Sequence, residues 1–534
     1  MEATTIAEGV LFERDVAVRM RDGAILMSNV FRGPNARAPC LLSVTPYGKD
    51  KLPDRLGMFF MRLAGVRFGD IAVSRYTGFE APDPVYWVRN GYAVVQADVR
   101  GMHKSEGRAS VLSDQDAEDF YDLIEWAAVQ PWCDGGVALS GVSYLAMSQW
   151  RVAPLRPPHL KAIVPWEGVS DLYREFVTQG GIPEVGFIPI WWKNRMQRGR
   201  NRHFDFAENF LEEIGRHPML DEYWERKRPA LDHIDVPALV CATWADQGLH
   251  TRGSFEAFRA IGSKQKWLFT HGRKKWETYY NSADVQRRFL DHFLKGAANG
   301  WPETGRVRLE VRSSYYRHEV RFANEWPPAG LRPTPLYLDA ASRTLSLAPV
   351  STEAASTYDP AKSGPSGRVA FTIRFKDAVE LTGDTKLKLW VSGSNDDLDL
   401  FVIVKKFDAE GRETFFCGYN GYEKDAVAKG WLRVSHRALD PKRSTPLRPW
   451  HTHTRAEKLQ PGEIVPIEIE ILPSSTLFEA GTRLELWVRG RDGAKYPAFR
   501  HAKPPRGGRH TVHAGGRFDS HLLVPLLRGE IVPA

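Results

Sequence analysis

The residues best placed to do chemistry centre on Gly141-Val142-Ser143-Tyr144. Residues 137–139 form a short apolar run with the length of a buried strand, and residues 145–152 carry a helical pattern. A serine between a strand and a helix, with glycine two positions before it, fits a turn too sharp for a side chain at Gly141. Such a turn lifts the serine hydroxyl clear of the sheet. The pattern departs from G-x-S-x-G because Leu145 fills the last position. A hydroxyl presented this way attacks a carbonyl only when a base stands beside it and a carboxylate orients that base. Without such partners the stretch is simply a Ser/Gly loop entering a helix.

Two later strand ends offer the partners. Residues 238–242 run into Thr243-Trp244-Ala245-Asp246, and residues 267–269 run into Thr270-His271-Gly272. The order Ser143, Asp246, His271, with acid and base each beyond a later strand, is the chain order of an α/β-hydrolase. On this reading Ser143 attacks, His271 accepts its proton and returns it to the leaving group, and Asp246 fixes the imidazole tautomer. An oxyanion hole then needs two donors. The Tyr144 backbone N–H supplies one, and the Tyr47 hydroxyl in Thr45-Pro46-Tyr47-Gly48 is the candidate for the other. Trp166, just after the strand that follows the serine, joins Phe187, Trp191 and Trp192 as candidate walls of an apolar acyl or alcohol site.

The elements that must position these groups follow one grammar as far as about residue 305. Residues 15–26 alternate around Asp22-Gly23 and predict a hairpin. Residues 40–44, 92–97, 137–139, 161–164, 238–242 and 267–269 read as strands. Helical patterns lie between most of them. Ser113 caps one in which Phe120, Leu123, Ile124 and Ala127 share a face, and others cover residues 255–261 and 285–295. This alternation predicts a mostly parallel sheet with helices on both faces. Residues 167–230 interrupt it with helix-like, aromatic-rich sequence, the mark of an inserted helical cap. From residue 306 to 534, segments such as 307–311, 369–375, 386–391 and 483–488 alternate or run β-branched, which predicts an all-β sandwich of jelly-roll type. The expected units are a core in two parts (1–166 and 231–305), the cap (167–230) and the sandwich (306–534).

Several of these stretches resemble one family. Thr45-Pro-Tyr-Gly-Lys49, Asp98-Val-Arg-Gly-Met-His-Lys-Ser-Glu-Gly107, Pro131-Trp-Cys-Asp-Gly135 and Gly141-Val-Ser-Tyr-Leu-Ala146 are similar to the bacterial cocaine-esterase and X-Pro dipeptidyl-peptidase group. That group also holds glutaryl acylases and α-amino-acid ester hydrolases. The likeness extends to Asp397-Leu-Asp-Leu-Phe-Val402 and Ser520-His-Leu-Leu-Val-Pro525, and so covers nearly the whole chain. It implies Ser143 as nucleophile, Asp246 as acid, and Tyr47 with the Tyr144 amide as oxyanion hole. The family's histidine comes in G-P-W-x-H, whereas this chain reads His271-Gly-Arg-Lys-Lys-Trp276. Aligned on the glycine, Trp276 fills the histidine slot, and an indole only donates. Lys275 would need a heavily lowered pKa to act as base. His271, 25 positions after Asp246 (271 − 246), is therefore the expected base, with His250 and His292 as poorer substitutes.

Composition bounds the function. The net charge is +8, but the arginines are dispersed, and the densest basic run, residues 193–202, matches no nucleic-acid-binding module. A solvated basic face, with a weak pull on carboxylate-bearing substrates, accounts for it. No apolar run is long enough to span a bilayer, and residues 1–30 lack the apolar core of a secretory signal. The four cysteines are scattered without metal spacing, which predicts reduced thiols in a cytoplasmic protein with neither metal nor organic cofactor. The expected partner is a small-molecule ester or amide, with self-association compatible. The leading reading is a serine carboxylesterase or acylase working through an acyl-enzyme. An X-Pro dipeptidyl peptidase is its rival, and it would need an acidic cluster for a free amino terminus among Glu167, Asp171, Glu175 and Glu184. A binding protein with an inert hydrolase core and a ligand-recognising sandwich is the reading of another class.

Overall fold

Alternating residues at the start of the chain pair as their period predicts. In this computed structural model, which describes residues 4–6, 9–34, 37–50, 59, 62–63, 66–493, 499–503 and 508–534, β1 (Leu11–Arg19) and β2 (Ile25–Arg32) form an antiparallel hairpin. β2 pairs antiparallel with β4 (Ala93–Asp98), and β3 (Ala38–Thr45) lies parallel between β4 and β5 (Cys133–Val142). The parallel run continues through β6 (Leu160–Trp166), β7 (Ala238–Thr243) and β8 (Lys266–His271). The resulting order is β1-β2-β4-β3-β5-β6-β7-β8. Strands β4 and β7 are buried at every residue, as expected of Val/Ala-rich strands covered on both faces.

The pleat divides these strands between two cores. Val137, Leu139, Val240 and Leu268 face a core shared with α1 (Asp114–Ala128), α2 (Tyr144–Val152) and α3 (Thr251–Ala260). Ala138, Val164, Trp166, Trp267 and Phe269 face the other core, which includes Tyr279 of α4 (Lys275–Asn281) and Phe289 and Leu290 of α5 (Ala283–Lys295). Ser113 caps α1 in a capping box with Asp116, and Phe120, Leu123, Ile124 and Ala127 are buried as their spacing predicts. Gly296 ends α5 in the left-handed conformation.

Residues 167–230 add no strand to this sheet. They fold as short helices (Phe187–Trp191, Phe210–Arg216, Glu222–Arg226) and π-helical turns (Tyr173–Val177, Trp192–Gln197). Their aromatics hold them together: Trp192 packs on Phe206 at 4.7 Å between ring centroids, and Phe210 meets Trp191 and Trp224.

β9 (Val307–Ser314) joins the two regions: it runs parallel to β8 at Leu268 and Phe269, with β10 (Arg317–Ala323) antiparallel to it. A bridge from Arg312 to Thr476 carries the ladder into the C-terminal strands. Those strands are antiparallel, as in Val379–Gly393 with Val465–Phe478 and Arg368–Arg374 with Arg483–Arg489. Alternate residues such as Val369, Phe371, Leu387, Leu389, Ile469 and Leu486 build one separate core. Among the described residues no helix is long and apolar enough to cross a membrane.

Candidate active site

The turn after β5 is strained in the way a presented serine requires. Ser143 sits at φ 59°, ψ −117°, a region L-residues rarely occupy, and begins α2. Gly141 is at φ 154°, and a Cβ there would lie 2.5 Å from the Leu145 Cβ. The bulk that replaces the usual last glycine thus packs against the first one. The Ser143 N–H donates to the Trp166 carbonyl at 3.0 Å, tying the turn to the end of β6.

The group that meets the serine is His250. Its Nε2 lies 3.1 Å from Ser143 Oγ, and its Nδ1 lies 2.5 Å from Asp246 Oδ2. Asp246 leaves β7 through Thr243-Trp244-Ala245, and His250 follows one turn later at the start of α3. Both side chains are buried. Burial alone would raise the Asp246 carboxyl. The Lys275 ammonium, 3.3 Å from Oδ2, and His250 outweigh it and hold the group well below the carboxylate range. Burial, reinforced by the Lys275 charge, lowers His250 below its usual 6.5 despite Asp246, so the imidazole is neutral at neutral pH.

His271 does not reach Ser143. It is fully buried, its Nε2 lies 2.9 Å from Glu167 Oε1, and its Nδ1 accepts the Arg273 backbone N–H at 3.2 Å. Burial, followed by the Arg273 and Arg308 charges against Glu310, lowers it to about 3. The cause is strand parity. His271 lies two positions beyond Phe269 and four beyond Trp267, so its ring points into their core and stacks on Trp166 at 6.3 Å. Trp166 fails as a pocket wall for the same reason: it follows Ala162 and Val164 onto that face. Trp276 is also structural, donating to Glu80 Oε1 at 3.0 Å and packing on Phe68 and Phe79.

The other expected residues do gather. Tyr47, Ser143, Tyr144 and His250 line one small cavity whose apolar walls include Met147, Leu172, Phe176, Phe187, Trp191 and Leu249. Phe187 and Trp191 are therefore at the site, whereas Trp192 belongs to the cap interior. The Tyr47 hydroxyl accepts from Trp191 Nε1 at 3.3 Å. Burial, then the Glu80 charge, raises its pKa strongly, so it stays a protonated donor. Tyr144 opens α2, where a backbone N–H has no partner within the helix. One signal for His250 was in the sequence: Asp246-x-x-x-His250 puts acid and imidazole at i, i+4 just before a helical pattern.

Glu167, Asp246 and His250 bring donor atoms within 4.8 Å of one another, a spacing that also suits a metal. Both imidazole nitrogens are engaged, however, and an ammonium already faces Asp246. With both ring nitrogens bonded, the imidazole offers no free donor atom to an ion.

A mostly parallel sheet in the order 1-2-4-3-5-6-7-8 with a serine on the turn after β5 and an imidazole–carboxylate pair beside it defines the α/β-hydrolase class. The chain belongs to the CocE/NonD family of hydrolases, within the X-Pro dipeptidyl-peptidase (S15) group, and is a serine hydrolase. The S15 family model matches residues 22–274, and the model of the X-Pro dipeptidyl-peptidase C-terminal non-catalytic domain matches residues 299–523. A CocE/NonD family hydrolase from Staphylococcus aureus is 41% identical, with a TM-score of 0.92 over 97% of this chain and 94% of its own. The cocaine esterase of Rhodococcus sp. strain MB1 Bresler is 25% identical over 96% of this chain and 98% of its own. An α-amino acid ester hydrolase shares the fold, with a TM-score of 0.74 at 16% identity, covering 98% of both chains.

Proposed function

We propose that this hydrolase cleaves small-molecule esters, and amides more slowly, through an acyl-enzyme on Ser143, with His250 as general base and Asp246 as its orienting acid. The observation that carries the reading is the 3.1 Å contact between Ser143 Oγ and His250 Nε2. His250 accepts the serine proton as Oγ attacks the carbonyl, then returns it to the departing alcohol or amine. Asp246, held ionised, accepts from Nδ1–H and stabilises the imidazolium. The Tyr47 hydroxyl and the Tyr144 N–H stabilise the developing oxyanion. Water then attacks the acyl-enzyme under the same base.

The apolar, aromatic walls of the cavity favour a small uncharged acyl group. Some family members are called Xaa-Pro dipeptidyl-peptidases, among them a putative one from Bacillus cereus, 21% identical over 81% of this chain and 78% of its own. An exopeptidase needs free carboxylates beside the nucleophile. Here Glu167 bonds His271, Asp171 pairs with Arg174, Glu175 pairs with Arg252, and Glu184 accepts the N–H groups of Gly186, Phe187 and Ile188. None of the four is among the residues that line the cavity. That speaks for ester over peptide substrates, and the engaged Ser143–His250 pair speaks against an inert site.

We further assign residues 1–166 and 231–305 to the catalytic core, 167–230 to the cap, and 306–534 to a jelly-roll sandwich. The four cysteines are buried and unpaired, which suits a reducing cytoplasm. The test is a panel of p-nitrophenyl esters, amino-acid anilides and a Gly-Pro anilide. Turnover of short-chain esters, lost in Ser143→Ala, supports the reading. Turnover confined to the Gly-Pro substrate and dependent on its free amine assigns the exopeptidase instead.

A further inference from the structure

Lys275, the first residue of α4, has its ammonium buried 3.3 Å from Asp246 Oδ2, the oxygen that also receives His250 Nδ1. The other Asp246 oxygen has no hydrogen-bond partner among the described residues. The ammonium lies 4.8 Å from the Trp276 ring centroid, and Trp276 is pinned in turn by Glu80. A buried lysine is costly without carboxyl partners, and here three separate segments supply them, with Asp246 held ionised while burial raises Glu80 to about 7 and Glu167 to about 8. Asp246 follows β7, Glu167 follows β6, and Glu80 precedes the helix Pro84–Arg89; all three are buried.

We propose that Lys275 is a positioning residue of the relay, clamping the Asp246 oxygen that orients His250 and setting a fixed positive charge beside the imidazole. The proposal rests on the reading of His250 as the base. Lys275 needs no proton transfer of its own, because its neighbours hold it in the ammonium form and raise its pKa against its burial. Its effect on catalysis runs through the imidazole. The titratable groups facing His250 are Lys275, Asp246 and Glu167: Lys275 opposes the imidazolium, the Asp246 carboxylate favours it, and Glu167, raised to about 8 by burial, adds charge only at higher pH. Glu80 faces Lys275 rather than His250, and Arg195 faces Glu80. Tyr419, on the side of the β-rich unit, faces Asp246 and is held protonated by burial, so it adds no charge. With Lys275 neutralised, the Asp246 carboxylate acts on the imidazole unopposed and it becomes more basic.

The experiment is the pH dependence of kcat/KM for p-nitrophenyl acetate in the full chain, comparing wild type with Lys275→Arg, Lys275→Gln, Lys275→Met and His250→Asn. The two neutral variants should move the acid limb upward by about one pH unit, the size expected for one charge removed at close range in a buried site. Lys275→Arg should keep the wild-type limb. Two neutral variants of different shape guard against loss of folding in one, and near-UV circular dichroism reports that state. A general packing defect would lower kcat/KM at every pH without displacing the limb. A limb unmoved in the folded neutral variants, with His250→Asn inactive, overturns the role of Lys275 alone. A His250→Asn chain that keeps its turnover overturns the base assignment and this proposal together.

Discussion

Asp246 and His250 stand one helical turn apart, and that spacing closes the Nδ1···Oδ2 contact to 2.5 Å. On the proposed roles, acid and base come from one segment, the turn from β7 into α3, rather than from two strand ends. Their separation is fixed by local backbone geometry, so it does not depend on how the loop after β8 is built. That loop is free to serve packing instead, with His271 and Trp276 both buried in hydrogen-bonded roles.

Removing the Tyr47 hydroxyl tests the oxyanion hole. Tyr47→Phe keeps the ring that packs on Phe79 but deletes the donor. We expect kcat to fall by about 10²–10³, with KM changed little, because the donor acts on charge that develops only in the transition state. Steady-state kinetics on a short-chain ester check this, and an unchanged kcat would remove Tyr47 from the site.

The pH profile of kcat/KM should rise along an acid limb set by His250. The active form is the neutral imidazole, and burial together with Lys275 lowers its pKa, so the limb lies below the ordinary 6.5. A limb above 7 in the wild-type chain would contradict the electrostatic account.

Buried histidines should cost stability in acid over a related window. His271 is held neutral with its pKa lowered to about 3, and burial likewise brings His451 and His510 to about 4. At these three histidines the unfolded chain binds more protons between those values and 6.5, so their contribution to stability is complete above 6.5 and lost as pH falls. Glu80, Asp98 and Glu175, which burial raises to about 7, contribute in the opposite direction. In thermal melting from pH 7.5 to 4, His451→Asn and His510→Asn should each lose less stability than wild type, whereas an equal loss would refute these burial assignments. In the same scans His271→Ala should cost about 1–3 kcal/mol, since it strands the buried Glu167 carboxyl.

Much of this arrangement was legible in the residue order. Gly141 before Ser143 and Asp246 at a strand end are local signals, and in the structure His250 bonds both Ser143 and Asp246. His271 misled because chain order says which loop a residue occupies but not which face of the sheet its side chain takes. The parity of Trp267, Phe269 and His271 would have answered that, and the same count along Ala162, Val164 and Trp166 would have removed Trp166 from the pocket. Trp191 and Trp192 could not be told apart by sequence, because the π-helical turn beginning at Trp192 alters the helical phase there. Strand β9 was read with the β-rich unit because its alternation is the same on either side of the junction. In the structure it pairs with β8 on one side and reaches Thr476 of the C-terminal strands on the other.

The cavity makes a prediction about acyl size. Phe187 forms part of its wall and meets Phe176 edge to face. Phe187→Ala should enlarge the site and raise the preference for benzoyl over acetyl esters, measured as a ratio of kcat/KM, by about tenfold, a typical gain for one pocket contact. An unaltered ratio would place the acyl group elsewhere.

The most direct test of the whole account is the rate at which Ser143 is acylated when each histidine is removed in turn. Stopped-flow measurement of the p-nitrophenol burst should show His271→Ala within about fivefold of wild type and His250→Ala slower by about 10³ or more, the scale of a lost general base. The reverse ranking, with acylation intact in His250→Ala and abolished in a folded His271→Ala, would contradict it.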